Sequence, residues 1–355
     1  MKHNNLYTED VKRTAEHDLP WEKLKNSSVM ISGATGLIGS FMIDVIMHKN
    51  LNDGLGCTVI ALGRNEEKAR EKFGDYFGQS TFKFIVCDIN MPVNASEVPH
   101  SDYVVHLASN THPVAYSTDP IGTINANIIG TKNLLDYAAD TKSKRFAFAS
   151  SNEVYGENRG DTEFFDENYC GYINSNTLRA GYPESKRCGE AMCQAYMKQK
   201  EIDVVIPRLT RSYGPTMLMS DTKAISQFIK KGVAGEDIVL KSEGNQYYSY
   251  TYVSDAVSGL LTVLLCGESG EAYNISDIRS DITLKDLAHV IADFSGAKVI
   301  FELPDAIEKA GYSTATKARI DGSKLHALGW TAHYDIKSGL ERTISILKEE
   351  NDINK

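Results

Sequence analysis

The sequence predicts an α/β protein: a Rossmann-type, doubly wound parallel sheet with a smaller, mixed α/β cap that is mostly C-terminal. Two observations carry this prediction. Short β-branched runs alternate with longer amphipathic runs, which is typical of parallel strands joined by helices. A glycine-rich segment also links the first apolar strand to the first apolar helix, where the chain needs a tight turn.

Six apolar runs are predicted as strands of the sheet. They are continuous rather than alternating, as expected for strands that helices cover on both faces. The runs are 29–32, 58–62, 82–86, 103–107, 146–150 and 204–207. Helical patterns lie between them at 37–47, 66–73, 125–139 and 181–198.

The alternation changes after residue 208, and this predicts the domain organisation. A strand at 250–253 and a helix at 255–265 look like one further pair of elements of the first domain. The expected division is an N-terminal extension (1–26), a Rossmann domain (27–208 and 247–268) and a substrate-binding domain (209–246 and 269–355). We expect the extension either to form a surface helix or to fray.

Composition excludes several classes of partner. The formal net charge of −9 argues against nucleic acid or an anionic membrane as the main partner. The six cysteines form no CxxC pair, so we expect a reducing, cytoplasmic location. We expect neither a signal peptide nor a membrane span. The nine histidines form no ligand motif, so no metal site is expected.

The strongest local signal is the glycine turn that follows the first strand. Gly33 permits the tight turn, Gly36 lets the backbone approach a pyrophosphate at the positive end of a helix, and Gly39 allows close helix–strand packing. The spacing G-x-x-G-x-x-G between a strand and a helix therefore predicts a dinucleotide site. The residues assigned to the cofactor here are Gly33, Thr35, Gly36, Leu37, Ile38 and Gly39.

The next two strand ends concern the adenosine half of such a cofactor. No acid that would bind the ribose follows the second strand. Instead Gly63 leaves room and Arg64 could pair with a 2′-phosphate, which favours NADP over NAD. Arg64 stacking on adenine or facing solvent is the alternative. Asp88, after the third strand, is placed to accept from an adenine amino group or to cap the following turn.

Tyr182 and Lys186 are candidate catalytic residues, because they stand four apart on one face of a predicted helix. A tyrosine with a pKa near ~10 is a poor base, and a neighbouring ammonium stabilises its phenolate. Such a pair also occurs by chance on helix surfaces. Ser151 lies just past the carboxyl end of the fifth predicted strand, at the crevice of the sheet, where its hydroxyl can bond a substrate oxygen or merely cap a turn.

Together these segments resemble the extended short-chain dehydrogenase/reductases that act on nucleotide sugars, namely 4-epimerases, 4,6-dehydratases and UDP-glucuronate decarboxylases. The similarity runs from about residue 29 to residue 343. It rests on the segments GATGLIG, HLAS, NIIGTKNLL, SSNEVYG, YPESK, YGP, YVSDAVSGL and LGW.

The resemblance implies roles for the catalytic set. Tyr182 would take the proton of the sugar 4-hydroxyl while hydride passes from C4 to the nicotinamide, with Ser151 holding the oxygen and Lys186 tuning the tyrosine. A nucleotide-diphosphate sugar is the implied substrate, and NAD or NADP is the implied, tightly held cofactor. The further cofactor contacts that it implies are Ile89, Leu107, Ala108, Ser109 and Asn127, besides Tyr182 and Lys186.

A homodimer is also implied, joined through a four-helix bundle of the predicted helices 125–139 and 181–198. Both helices carry apolar positions beyond one core-facing stripe, such as Met192 and Met197. These extra apolar positions would lie in the subunit interface.

Glu153 bears on which reaction follows oxidation at C4. A 4-ketone acidifies the C5 hydrogen, and a carboxylate beside the ring can remove it, which favours 4,6-dehydratase or decarboxylase chemistry. Asn152 weakens the dehydratase interpretation because it has no proton for a departing 6-hydroxyl. The alternatives are a simple 4-epimerase, an NADPH-dependent ketosugar reductase, which Arg64 would suit, and a non-catalytic binding protein. A solvated acid on a turn is the alternative for Glu153 itself.

Two departures from the family pattern concern the substrate. Tyr248 stands where the family has an arginine for the diphosphate or sugar, and Arg211 stands where the family has an asparagine. Arg211 could supply the cation that Tyr248 cannot. The predicted substrate contacts are therefore Ser151, Asn152, Arg211 and Tyr248.

Overall fold

The computed structural model of the chain describes residues 4–111, 113–302 and 316–353. Its strands in chain order are β1 (Ser28–Ser32), β2 (Thr58–Gly63), β3 (Phe82–Val86), β4 (Tyr103–His106), β5 (Arg145–Phe148), β6 (Ser150–Ser151), β7 (Val204–Leu209), β8 (Arg211–Tyr213), β9 (Ile238–Leu240), β10 (Tyr247–Tyr252), β11 (Ala272–Ile275), β12 (Asp281–Thr283), β13 (Val299–Phe301) and β14 (Lys317–Ala318).

The helices surround these strands. In chain order they are α1 (Asn5–Ala15), α2 (Leu37–Asp53), α3 (Glu66–Phe73), α4 (Pro113–Thr118), α5 (Pro120–Asp140), α6 (Gly181–Lys200), α7 (Ala224–Ala234), α8 (Val253–Cys266), α9 (Leu284–Ser295), α10 (Ser323–His326) and α11 (Ile336–Ile353). Among the described residues, no helix combines the length and hydropathy that crossing a bilayer requires.

The large sheet confirms the predicted fold class. Its strand order is β11-β7-β5-β4-β1-β2-β3, with β6 beside β7, and the neighbouring strands are parallel. The chain builds outward from β1 to β3, returns to β4 on the other side of β1, and continues to β7. This reversal places a crevice at the carboxyl ends of β1 and β4, where open α/β sheets bind ligands.

Both faces of the large sheet are buried, which explains the continuous apolar runs. In β1, Val29 and Ile31 pack into one core cluster while Met30 packs into another on the opposite face. Side chains alternate across a strand, so only an uninterrupted apolar run can serve two cores.

The structure differs from the prediction at two strands. The strand predicted at 250–253 is β10, which pairs with β8, β12 and β14 in a smaller sheet rather than with the large one. Conversely, β11 lies in the segment assigned to the cap, yet it extends the large sheet beside β7. An apolar run identifies a strand, but the path of its connections decides which neighbour it joins.

The N-terminal segment forms an anchored helix, the first of the two expected outcomes. On α1, Tyr7, Val11 and Ala15 are buried in the core. Asp10 is fully buried: it accepts hydrogen bonds from the Tyr252 hydroxyl at 2.5 Å and the Tyr334 hydroxyl at 2.7 Å. These bonds tie the first helix to the second half of the chain.

We expect Asp10→Ala to lower the free energy of unfolding by about 3–5 kcal/mol, because it removes the buried carboxylate that pairs with Arg342 at 2.7 Å and leaves the hydroxyls of Tyr252 and Tyr334 without their acceptor. Urea unfolding monitored by circular dichroism measures the change. Glu9→Ala is the matched control: it removes the half-exposed partner of the same arginine, and we expect a loss below about 1 kcal/mol. Equal effects of the two variants would contradict the structural role of Asp10.

Candidate active site

The carboxyl edge of the large sheet opens into a cavity of about 710 Å³ that residues of the cap close from the other side. The predicted residues that line it are Gly33, Gly36, Leu37, Ile38, Gly39, Leu107, Ser109, Ser151, Asn152, Glu153, Tyr182, Lys186, Arg211 and Tyr248. The structure thus brings the glycine turn, the candidate catalytic residues and the predicted substrate contacts around one space.

The glycine turn packs tightly against neighbouring backbone and leads into a helix whose first turn is open. Gly33 has a φ of 70°, and a Cβ added there would lie 2.8 Å from the Ala108 backbone nitrogen. A Cβ on Gly39 would lie 2.5 Å from the Gly33 carbonyl oxygen. Helix α2 then begins at Leu37 without a side-chain cap, so its first N–H groups and its dipole remain available to an anion. These residues fit a dinucleotide pyrophosphate.

Several predicted cofactor residues lie outside the cavity lining. They are Thr35, Arg64, Asp88, Ile89, Ala108 and Asn127. Arg64 is exposed at the end of β2, and the space beside Gly63 is taken by the Phe84 ring, 3.0 Å from a Cβ placed there. Asp88 accepts a hydrogen bond from the Asn90 N–H, the turn-capping arrangement.

Asn127 is buried between α5 and α6 rather than open to the cavity. Its amide donates to the Ser185 hydroxyl at 2.9 Å, and that hydroxyl donates to the Tyr182 carbonyl at 2.8 Å. Asn127 therefore supports the first turn of the helix that carries Tyr182 and Lys186.

Lys186 is a buried cation beneath the cavity. Its ammonium donates to the Ala149 carbonyl at 2.8 Å and lies 4.7 Å from the Phe148 ring centroid and 6.0 Å from that of Tyr182. Burial lowers the pKa of Lys186 to about 7, while the charge of Glu190 acts in the opposite direction. The ammonium is thus held next to the phenol by the backbone and by aromatic rings.

Tyr182 meets opposing influences in the same place. Burial, and then the charge of Glu153, raise the pKa of its phenol, whereas a hydrogen bond with Ser151 and the charge of Arg179 lower it. The serine, which ends β6, and the tyrosine, which begins α6, are thereby in contact. A phenol in this position can pass a proton to or from an oxygen bound between it and Ser151.

Glu153 is part of an ion pair rather than a free acid on a turn. Its backbone N–H donates to the Ser151 hydroxyl at 3.2 Å, which fixes the turn after β6. Its two carboxylate oxygens accept from Nη2 of Arg179 at 2.7 and 2.8 Å. Both carboxylate oxygens are therefore occupied by Arg179.

Two residues of the site, Arg179 and Tyr116, were not predicted from the sequence. The Tyr116 ring stacks on Tyr182 with centroids 5.0 Å apart, and the guanidinium carbon of Arg179 lies 4.8 Å from the Tyr116 centroid. Arg179 stands three residues before Tyr182, so its proximity to the catalytic helix was a usable signal. Tyr116 lies 66 positions before Tyr182 in a different helix and gave none.

Arg211 and Tyr248 form a stacked pair in the cap side of the cavity. The guanidinium carbon lies 3.7 Å from the centre of the Tyr248 ring. Nη1 of Arg211 is buried and has no hydrogen-bond partner within the described ranges. The neighbouring strands β8 and β10 place Arg211 opposite Tyr250, so a cation lies on the strand beside that of Tyr248.

The amino-acid sequence of this chain is similar to those of known proteins. A model of the NAD dependent epimerase/dehydratase family matches residues 29–276. UDP-glucuronic acid decarboxylase 1 of Xenopus tropicalis is 32% identical over 327 residues, covering 91% of this chain and 72% of that protein. UDP-glucuronic acid decarboxylase 5 of Arabidopsis thaliana is 29% identical, covering 89% of this chain and 87% of that protein.

Solved structures share the fold. A dTDP-glucose 4,6-dehydratase from Streptomyces venezuelae, solved with NAD, has a TM-score of 0.77 at 24% identity and covers 92% of this chain and 98% of its own. A UDP-glucuronic acid 4-epimerase from Bacillus cereus, solved with UDP-glucuronic acid and NAD, has a TM-score of 0.77 at 22% identity, covering 91% and 99%. Since the family model spans well over half of the chain, and curated relatives align along almost all of it, this protein belongs to the NAD dependent epimerase/dehydratase family of extended short-chain dehydrogenase/reductases.

Proposed function

We propose that the protein is a nucleotide-sugar decarboxylase that oxidises C4 of a nucleotide-linked uronic acid, UDP-glucuronate, and releases carbon dioxide from it. The observation that carries this choice is the ion pair between Glu153 and Arg179, which opposes use of Glu153 as a free base at C5. The two UDP-glucuronic acid decarboxylases at 32% and 29% identity support the same choice.

The glycine turn and the start of α2 would hold the cofactor pyrophosphate, and Lys186 would reach the ribose beside the nicotinamide. When bound, the nicotinamide accepts hydride from the sugar C4 and later supplies it again. Leu107 and Ser109, after β4, line the same side of the cavity. Cofactor recycling requires tight retention, which the enclosed site between sheet and cap favours.

Tyr182 takes the proton of the 4-hydroxyl as C4 is oxidised, and Ser151 donates to that oxygen. Ser151 and Arg179 oppose the burial that raises the pKa of Tyr182. The Lys186 ammonium, 6.0 Å from the ring centroid, would add to the stabilisation of the phenolate. The product of this step is a 4-ketone. In a uronic acid it is a β-keto acid, because the carboxylate is attached to C5.

Carbon dioxide then leaves by cleavage of the bond between C5 and C6. The electron pair moves toward C4, where Ser151 and Tyr182 stabilise the enolate oxygen. A proton from water then adds to C5. Tyr182 returns its proton to the C4 oxygen as hydride would come back to C4, which gives a pentose nucleotide. No base at C5 is needed, unlike in 4,6-elimination, for which Asn152 also lacks an acidic proton.

Substrate binding follows from the cap. We assign the diphosphate to Arg211, whose orientation is fixed by stacking on Tyr248 and whose buried Nη1 otherwise lacks a partner in the described part. Ser151 and Asn152 would contact the sugar. A charge-assisted pair of this kind contributes about 1.5–3 kcal/mol.

The decisive assay incubates the cofactor-loaded enzyme with UDP-glucuronate and records product mass and released carbon dioxide. Tyr182→Phe is expected to lower the rate of release by about 10²–10⁴-fold, because no group remains to take the 4-hydroxyl proton. Glu153→Gln is expected to retain release to within about tenfold, since loss of carbon dioxide needs no base at C5.

Tyr172→Phe, which removes an exposed phenol outside the cavity, is the control and should match the wild type. A product that has lost water would identify a 4,6-dehydratase, and a product of unchanged mass would identify a 4-epimerase. Either result contradicts the decarboxylase proposal.

For the cofactor we propose that NADP binds at least as well as NAD. The support is Arg64, which is exposed at the end of β2 and forms no ion pair with the residues described. Arg64→Ala should weaken NADP about tenfold or more, by loss of a charge-assisted contact to the 2′-phosphate, and leave NAD nearly unchanged. Calorimetric titration of cofactor-free protein measures both. Arg70→Ala, whose guanidinium already pairs with Glu66, is the control; a clear preference for NAD that Arg64→Ala leaves unchanged would refute the proposal.

We also propose a homodimer built on α5 and α6. The support is apolar surface on and beside these helices: Ile121 and Leu178 are each 72% exposed and Ile129 is 40% exposed. Met192 and Met197 instead pack partly against the subunit's own core. Ile129→Asp should shift sedimentation from dimer to monomer, whereas Ile278→Asp, an exposed site elsewhere, should not. A wild-type protein that sediments as a monomer at micromolar concentration would contradict the proposed homodimer.

Two further assignments are proposals. The large sheet with its helices would bind the cofactor, and the cap from β8 to β10 and from β12 onward would bind the substrate. A cytoplasmic location is supported by the six cysteines, which are all free thiols.

A further inference from the structure

We propose that Arg179 selects sugars that carry a carboxylate at C6, by sharing its guanidinium between Glu153 and the substrate. This inference rests on the proposed function, which makes a uronic acid the substrate. Arg179 belongs neither to the Ser151, Tyr182 and Lys186 set nor to the cap residues.

The guanidinium of Arg179 has donors that its pairing with Glu153 does not use. Nη2 alone donates to the two carboxylate oxygens, and in the described part of the chain Nε and Nη1 donate to no side chain or carbonyl. An arginine carries five N–H donors. The side chain lines the cavity and keeps 42% of its surface exposed. The remaining donors are therefore accessible to a second anion.

Tyr116 fixes where that second anion can bind. The Tyr116 ring is buried and makes two contacts. It forms a cation–π contact with the guanidinium of Arg179, and it stacks on the ring of Tyr182. The cation is thus tied through one aromatic ring to the phenol that receives the 4-hydroxyl proton. A sugar with its 4-hydroxyl at Tyr182 would present its C5 substituent to the neighbouring surface, where Glu153 and Arg179 lie.

The other cations of the cavity are engaged differently. Lys186 donates to the Ala149 carbonyl, and Lys223 pairs with Asp221. Arg211 stacks on a tyrosine in the cap, and Lys241 follows β9 on the same cap side of the cavity. Arg179 is therefore the cavity cation best placed to meet a charge on the reacting end of the sugar. A hydroxymethyl group, as in UDP-glucose, offers it no charge-assisted bond.

Glu153 limits how strongly Arg179 holds the substrate. A guanidinium devoted to the substrate carboxylate would stabilise the ground state and slow departure of carbon dioxide. Because Glu153 competes for the same guanidinium and repels the substrate carboxylate, the bond selects the uronic acid without trapping it. Arg179 and Glu153 thus recognise the substrate carboxylate together.

The test compares dissociation constants of UDP-glucuronate and UDP-glucose, which differ at C6, for the cofactor-loaded enzyme. Tyr182→Phe is the background, so that neither sugar turns over. Arg179→Met is expected to reduce the preference for UDP-glucuronate at least about tenfold by loss of a charge-assisted contact. Affinity for UDP, which lacks the sugar, should stay unchanged and reports that the site is folded.

Glu153→Gln is the second variant, and we expect it to change the affinity for UDP-glucuronate in the opposite direction. Removing the competing charge should tighten UDP-glucuronate severalfold and leave UDP-glucose unchanged. The matched control is Arg159→Met, because Arg159 is an exposed arginine stacked on Tyr172 outside the cavity lining; it should preserve the preference.

The proposal is overturned if Arg179→Met leaves the preference intact or weakens both sugars equally, or if Glu153→Gln fails to tighten UDP-glucuronate. Failure of the proposed function has a separate signature, since the wild-type enzyme would then release no carbon dioxide whatever the binding ratio.

Discussion

The reversal of strand order between β1 and β4 is the constraint on which the other features of the site depend. Because parallel strands on both sides of this point end at the same edge, the glycine turn after β1, the Leu107–Ser109 segment after β4 and Ser151 at the end of β6 converge there. Strands β8 and β10 belong to the cap, and their residues line the same cavity from its other side. One sheet edge thus collects the candidate cofactor, catalytic and substrate residues, which are distant in sequence.

Burial at this edge sets the electrostatics of the site. Burial disfavours the ammonium of Lys186 and the phenolate of Tyr182, whereas Glu190 favours the ammonium and Ser151 and Arg179 favour the phenolate. A second buried pair stabilises the helix that carries them: Glu190, on α6, accepts two bonds from Arg208 at 2.9 and 2.7 Å. A low-dielectric setting strengthens all of these interactions and penalises any unpaired member.

Much of the fold could be predicted because local sequence patterns identify its strands and the turn after β1. Strands buried on both faces must be continuously apolar, and the turn after β1 must be glycine where a Cβ would strike Ala108. Which strands pair with each other was harder to predict from the sequence. The run YYSYTY of β10 has the composition of a strand on either sheet, and only the path of the chain through β8 and β12 assigns it to the cap. For the same reason β11 was assigned to the wrong side of the domain division.

In the site, the sequence by itself determined the residues whose spacing encodes their geometry. Tyr182 and Lys186 share a helical face at four residues, and Ser151 stands at a strand end. Only the tertiary structure decided how the charges are paired. Whether Glu153 is free or bound depends on Arg179, 26 positions away, and on Tyr116 in another helix. Such contacts are set by packing across the cavity, which no local pattern records, because a residue's partner is chosen by distance in space rather than along the chain.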